Sequence, residues 1–486
     1  MNKIRGLINR FAGYFVTFGA GAVQIISAVF LSRIAFHYLS TSELKLWFVM
    51  MAVMPFISLF ELGVTLVLPH QLAQINYEKN ASSALITNFL TAVVAITTPV
   101  LIIALVLAKF GATLLSESDI PLIIILCIAV YLRVIGNVLQ GVLYAMCDNA
   151  IEKTIRIVSS LVLTITGVIC LKAGFGIYSM PTAWIFGALL SIGLAIGRQI
   201  VKWKIRIHFN SISKQKVMEM LGAAIRYIAI AVPGQFVFNA TPFIIAANLP
   251  ATDTISYGLN LQIIAGIGLV ANTPITVATP KLAAQYRKSI SDASSLLMNT
   301  LRLSGLLSVF LLTIIWINQH LILSVWTGRS MQIDSVFLAV YFFMMFVEWQ
   351  QNTMSTAVMA TGNFKFVIVT ICSALLILLG MPLIIKRIGF VGVPLSLLAA
   401  QLITSHPYNI RLAFKTYRIK LLSYLLNLRE PFFLFILICV GFIICNEFDV
   451  GALAQLFITC SLGLLVLCGV FYRNILTKSQ NIQFHL

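Results

Sequence analysis

Residues 118–146 read SDIPLIIILCIAVYLRVIGNVLQGVLYAM. A helix of about 20 apolar residues covers the hydrocarbon thickness of a bilayer, and this stretch is long enough. Arg133 stands near its middle, about 14 residues from either end, or roughly 20 Å at the helical rise. That is too deep for the guanidinium to reach a head-group region. Asn137, Gln140 and Tyr144 follow at spacings of four, three and four residues, on the same helical face. The stretch therefore crosses the membrane with a polar face turned toward protein rather than lipid. Such a face is either a substrate-lining surface or a seam of hydrogen bonds between helices.

The same pattern recurs along the chain. Of 486 residues, 60% are hydrophobic and 10% charged, and the mean hydropathy is +0.98; a soluble chain has about half apolar and a quarter charged residues. Fourteen apolar runs, near 11–37, 44–68, 83–109, 118–146, 151–172, 177–200, 218–248, 254–278, 293–317, 333–360, 363–385, 390–410, 431–446 and 451–472, account for nearly the whole length. The fold class is an all-α polytopic membrane protein, which leaves no room for a soluble catalytic or binding domain. Pro55, Pro233, Pro242 and Pro274 inside the second, seventh and eighth runs mark kinked or wet bundle helices rather than plain anchors.

The formal charge of +18 would suggest nucleic acid in a soluble protein. Here it follows the loops. With a cytoplasmic N-terminus, 23 of the 33 lysines and arginines fall on the cytoplasmic side and six on the other, as the positive-inside rule requires. Both termini are then cytoplasmic. The opening MNKIRGLINR resembles a signal-peptide n-region, but the apolar run after it is long and lacks a small-residue cleavage pattern, so it reads as a retained first span.

Two basic connections, 198–217 and 411–430, divide the chain into an N-terminal six-helix lobe (1–205), a C-terminal six-helix lobe (206–420) and two accessory helices with a tail (421–486). The accessory pair is less polar than the rest and suits a lipid groove. Within the second connection, KLLSYLLNLR (420–429) either lies in the interface, leucines in lipid and cations at anionic head groups, or is a solvated loop. The halves echo one another. LPHQLAQINYEKN (68–80) matches TPKLAAQYRKS (279–289), and LYAMCDNAIEK (143–153) matches VMATGNFKF (358–366). Each pair begins on the same side of the membrane, which relates the halves by an axis along the membrane normal. Two pseudo-symmetric bundles around a central cavity follow from this.

Ionisable residues inside spans are the candidate functional groups, because each needs a partner, a watery cavity or a route to the interface. Arg33, Arg226 and Arg302 either serve the site or snorkel; Arg133 cannot snorkel. Glu61 and Glu348 either carry a coupling proton or form structural ion pairs. Asn239 and Asn260, with Gln235, Gln262 and Asn272, offer neutral hydrogen bonds suited to sugar hydroxyls, or serve as packing polar groups. The eight cysteines lie in or beside apolar runs without metal-ligand spacing and read as core thiols. No phosphate loop, zinc-protease motif or nucleophile elbow is present, so no enzyme, metal or cofactor is expected.

On these residues the chain resembles the O-antigen (Wzx-type) flippases of the multidrug/oligosaccharidyl-lipid/polysaccharide exporter superfamily. The likeness is carried by LSR (31–33), LWF (46–48), ELG (61–63) and LPHQLAQ (68–74), then Tyr257, ATPKLAAQ (278–285) and ATGNFK (360–365). The Leu-Gly-Pro that usually follows the LSR motif is replaced by IAFHYLS (34–40). The resemblance implies a bacterial inner-membrane flippase that moves an undecaprenyl-pyrophosphate-linked oligosaccharide to the periplasmic leaflet by alternating access. It implies coupling to an H+ or Na+ gradient and work alongside the O-antigen polymerase machinery. Arg33 lies in the matched LSR motif and Glu61 in ELG. A drug or metabolite exporter of the same superfamily is the nearest rival. A membrane enzyme of polysaccharide assembly is a weaker one, since the longest outer connection, 318–332, is too short for a catalytic site.

Overall fold

The computed structural model describes residues 2–60, 78–110, 120–146, 148–204, 211–222, 239–329, 333–363, 365–448 and 450–483, together with Leu68, Gln71, Leu72 and Ile75; side chains are described between 19 and 469. It is a helical, multi-pass membrane protein. Ten segments among the described residues are long and apolar enough to span a bilayer. The longest of them, Val367–Tyr417, covers most of the eleventh expected span and all of the twelfth.

Packing divides the chain into two compact units, Met1–Gly258 and Leu259–Leu486. The first contains α1 (Asn2–Tyr38), α2 (Thr41–Phe60), α3 (Lys79–Phe110), α4 (Ile120–Ala145), α5 (Asn149–Lys172), α6 (Ser179–Val201) and α7 (Thr241–Asn248). Ser40 and Glu43 form a capping box that starts α2. The Ser40 amide donates to the Glu43 carboxylate at 2.9 Å and the Glu43 amide to the Ser40 hydroxyl at 3.4 Å. α4, α5 and α6 pack on one another, and α1 lies along α5. Small residues permit this closeness. A Cβ on Gly187 would lie 3.2 Å from the Ser159 carbonyl, and one on Gly136 would lie 3.3 Å from the Ser191 hydroxyl.

α8 (Ala251–Ala271) crosses from the first unit into the second, which continues with α9 (Thr273–Lys288), α10 (Ile290–Ile317), α11 (Gln319–Thr327), α12 (Ser335–Met359), α13 (Val367–Ile388), α14 (Gly392–Ala400), a π-helical turn (Gln401–Ser405), α15 (His406–Tyr417), α16 (Leu421–Glu447) and α17 (Ala452–Gln483). α10 is the hub, packed on α9, α12, α16 and α17. Leu297 and Leu301 of α10 meet Leu282, Met354 and Tyr417 in one buried cluster, and Leu306 and Phe310 meet Leu434, Ile438 and Leu467 in another.

The first and last helices run about ten residues past their expected bounds, to Asn2 and Gln483, and three other differences bear on the site. The eighth expected span breaks at Asn272, where Pro274 in the first turn of α9 lacks the amide a continuous helix would need. The thirteenth begins at Leu421, ten residues early, so all of 421–429 is helical. The connection 318–332 holds a helix of its own, α11, closed by Gly328 at φ +68°. Of the seventh expected span, residues 223–238 lie outside the described residues. The described cysteines are free thiols, and Cys372 and Cys468 are exposed rather than in the core.

Candidate substrate-binding cavity

The polar face of α4 opens on a cavity of about 350 Å³ inside the first unit. Arg133, Asn137 and Gln140 line it together with Gln24 and Ser27 of α1, Trp47 of α2, Arg156, Ser159 and Ser160 of α5, and Trp184 and Ser191 of α6. Arg133 faces the Trp184 ring, 5.9 Å from guanidinium carbon to ring centre, within reach of a cation–π attraction. The Gln140 amide donates to the Ser191 hydroxyl, and farther along α6 the Gln199 amide donates to the Leu139 carbonyl at 2.9 Å. Tyr144, the last residue of the expected stripe, does not line the cavity and is 41% exposed.

Among the described residues that line the cavity, the charged ones are two arginines. Arg156 donates through Nε at 3.0 Å and Nη2 at 2.8 Å to one oxygen of Glu152, which is buried beneath it. Lys153 pairs with the other oxygen at 3.0 Å. Trp47 Nε1, Gln140 Oε1 and Ser159 Oγ are buried without a hydrogen-bond partner among the described residues. Unmet donors and acceptors beside two guanidinium groups make a surface able to bind a polar, anionic group.

Sequence reasoning missed Arg156. The loop assignment places it among the cytoplasmic basic residues, whereas the structure places it two turns inside α5 and on the cavity wall. The signal was present in the i, i+4 spacing to Glu152, which places both on one helical face.

The other expected residues that are described do not line this cavity. Arg33 is exposed near the end of α1, and Asn239 is half-buried just before α7. Arg302, Asn260 and Glu348 belong to the second unit. There Arg302 pairs with Glu430 at 3.4 Å, Asn260 is buried on α8, and Glu348 is half-buried on α12 with no ion pair to a described residue. Glu61, Arg226 and Gln235 lie outside the described residues.

The second unit carries an apolar groove of about 570 Å³ between α10, α12 and α16. Trp316, Phe342, Phe346, Phe432 and Phe435 line it, with Trp316 stacked on Phe435 at 6.3 Å and 7°. Arg429 supplies a charge to its wall.

Comparison with known proteins identifies the architecture. No family model and no curated protein sequence matches the chain. Among solved structures, the lipid II flippase MurJ in an inward closed conformation superposes with a TM-score of 0.72 at 14% identity, covering 96% of this chain and 100% of that one. An inward-facing multidrug resistance MATE family transporter of the MOP superfamily gives 0.58 at 12% identity, covering 86% and 94%. A point mutant of the Vibrio cholerae MATE transporter VcmN gives 0.53 at 11%, covering 85% and 97%. At these identities the likeness is one of fold: the chain has the architecture shared by MurJ and the MATE transporters.

Proposed function

We propose that the protein is a flippase that moves an undecaprenyl-pyrophosphate-linked oligosaccharide, an O-antigen or related repeat unit, from the cytoplasmic to the periplasmic leaflet of the bacterial inner membrane. The carrying observation is the cavity of the first unit, where the described charges are Arg133 and Arg156 and the remaining polar groups are neutral amides and hydroxyls. Guanidinium groups recognise phosphate oxygens by paired, charge-assisted hydrogen bonds. Asn137, Gln140 and the serines suit sugar hydroxyls. The polyprenyl tail stays in lipid. No bond is made or broken in such transport, so the reading is not enzymatic. Coupling to H+ or Na+ through Glu61 or Glu348 completes the proposal, with the termini on the cytoplasmic side.

Export of a drug or metabolite is the second reading. The cavity of about 350 Å³ falls in the range of drug-sized sites, roughly 300–1,000 Å³, and several neighbours are multidrug transporters.

The deciding experiment deletes the gene in its native host and resolves undecaprenyl-linked sugars and surface glycans by gel and mass spectrometry, with complementation as control. Flippase function requires complete repeat units to accumulate on the cytoplasmic side and surface polymer to disappear. Unpolymerised units reaching the periplasm would indicate a polymerase. Unchanged glycans with altered drug tolerance would indicate an exporter.

A further inference from the structure

The second unit has a further cavity of about 570 Å³, where the start of α10 meets the turn between α15 and α16. Its wall is built from Ser291, Ser294 and Ser295 of α10, Ser423 of α16, and the two cations of the intervening turn, Arg418 and Lys420. That turn is held rigidly. Tyr417 is fully buried and donates to the Ala357 carbonyl at 2.7 Å. The Ile419 amide donates to the Phe414 carbonyl at 3.0 Å, and Ile419 and Tyr424 belong to the same buried cluster as Tyr417. Asn427 of α16 donates to the Met298 carbonyl of α10 at 3.1 Å and joins the two helices beside the cavity. Buried and exposed residues therefore alternate from Tyr417 to Lys420, and both cations are presented outward from a fixed backbone.

Arg418 closes α15 at φ +54°, in the left-handed region where a helix terminus normally places glycine. A long cationic side chain is kept there at a conformational cost. Among the described residues, the other non-glycine in that region is Lys204, just beyond α6 at the end of the first basic connection's helix. No acidic side chain among the described residues pairs with Arg418 or Lys420. Asp292, the acidic residue of the first turn of α10, does not line the cavity. Beside the cations, Leu421, Leu422, Leu425 and Leu426 are each more than half exposed on the first turns of α16. A free anion has no use for such a face. A lipid does, because the leucines meet acyl chains where the cations and hydroxyls meet the head group.

We propose that this corner binds the phosphate head group of an anionic phospholipid, with Arg418 and Lys420 as charge partners, the four serines as hydrogen-bond donors and the leucines of α16 against its chains. The assignment is independent of the transported cargo. It applies equally to a flippase or an exporter.

The test uses the full-length protein in detergent, with bound lipid read by native mass spectrometry. The probes are dioleoylphosphatidylglycerol, dioleoylphosphatidylcholine and inorganic phosphate. Wild type is expected to retain phosphatidylglycerol over phosphatidylcholine, and R418G/K420Q to lose that retention by roughly tenfold or more. Arg418→Gly suits the left-handed backbone, so the variant is expected to stay monodisperse with an unchanged unfolding midpoint. Arg418→Lys should keep most retention, and the exposed pair Lys365→Gln/Lys386→Gln should keep all of it. Equal retention of the two lipids by wild type overturns the proposal, even if the double variant fails to fold. So does unchanged phosphatidylglycerol retention in R418G/K420Q. Displacement of the lipid by millimolar inorganic phosphate would reassign the site to a free anion.

Discussion

The guanidinium carbon of Arg133 on α4 lies 5.9 Å from the ring centre of Trp184 on α6, and Trp184 is itself 1% exposed. A cation held over a buried indole gains about 0.5–2 kcal/mol from the contact. The guanidinium is thereby presented on the cavity wall. Arg133→Ala is therefore expected to abolish export while leaving protein in the membrane. Arg133→Lys should retain part of it, because lysine keeps the charge and loses the planar fork. Trp184→Leu should reduce export several-fold. Complementation of the deletion strain, scored by surface glycan with a membrane immunoblot as control, measures all three. Normal export by Arg133→Ala would remove Arg133 from the site.

The 3.6-residue spacing of Arg133, Asn137 and Gln140 was enough to turn α4 toward a protein interior, since lipid cannot satisfy those groups. Hydropathy likewise fixed most helices. What it missed was set by local chemistry. Pro274 splits the eighth span because a missing amide outweighs apolar composition. Arg411, Lys415, Arg418, Lys420 and Arg429 make 411–430 basic enough to read as a connection, yet Leu421, Leu422, Leu425 and Leu426 make a helical face there. Arg156 was hidden because a cation near a helix start satisfies the positive-inside rule whether it faces water or a cavity. Glu430, the partner of Arg302, fell in the same stretch read as loop.

Close packing in the first unit gives a stability prediction. A Cβ at Gly258 of α8 would overlap the Phe48 ring and lie 2.7 Å from the Phe48 Cβ. Phe48 is buried and lies 6.1 Å from the Phe36 ring, so it has little room to retreat. Gly258→Ala is expected to cost about 1–3 kcal/mol, in the range of overpacking mutations. Phe48→Ala should absorb part of that cost. The double variant then unfolds at a higher midpoint than the two single losses added together predict. Additive losses in a detergent thermal-unfolding cycle would show that the two residues do not meet.

The connection between α4 and α5 gives a pH prediction. Burial pushes the Asp148 carboxyl up, but hydrogen bonds and charge from Arg198 and Lys202, at 2.8 and 3.1 Å, outweigh it and hold the pKa below its ordinary 3.8. A lowered carboxylate pKa stabilises the fold above the unfolded pKa, and this contribution is lost as pH falls through the folded value. Wild type should therefore unfold at a higher temperature than Asp148→Asn near pH 7, with the gap closing below about pH 4. A gap that persists into acid would assign the effect of the substitution to packing.

Arg302 and Glu430 pair at 3.4 Å between α10 and α16, with 18% and 21% of their side chains exposed. Breaking a fully buried pair costs roughly 3–5 kcal/mol because a charge is left uncompensated; partial exposure of both partners reduces that cost here. Glu430→Gln and Arg302→Gln should each lower the unfolding midpoint, whatever the pair does in transport. The charge swap, Arg302→Glu with Glu430→Arg, separates the two roles proposed for Arg302. If the pair only joins α10 to α16, the swap restores both the midpoint and export. If Arg302 also holds the anionic group of the substrate, the swap restores the midpoint while export stays low, because a carboxylate then stands where the guanidinium met phosphate. Full export by the swapped protein would remove Arg302 from the substrate path and leave Arg133 and Arg156 as the described cations that serve it.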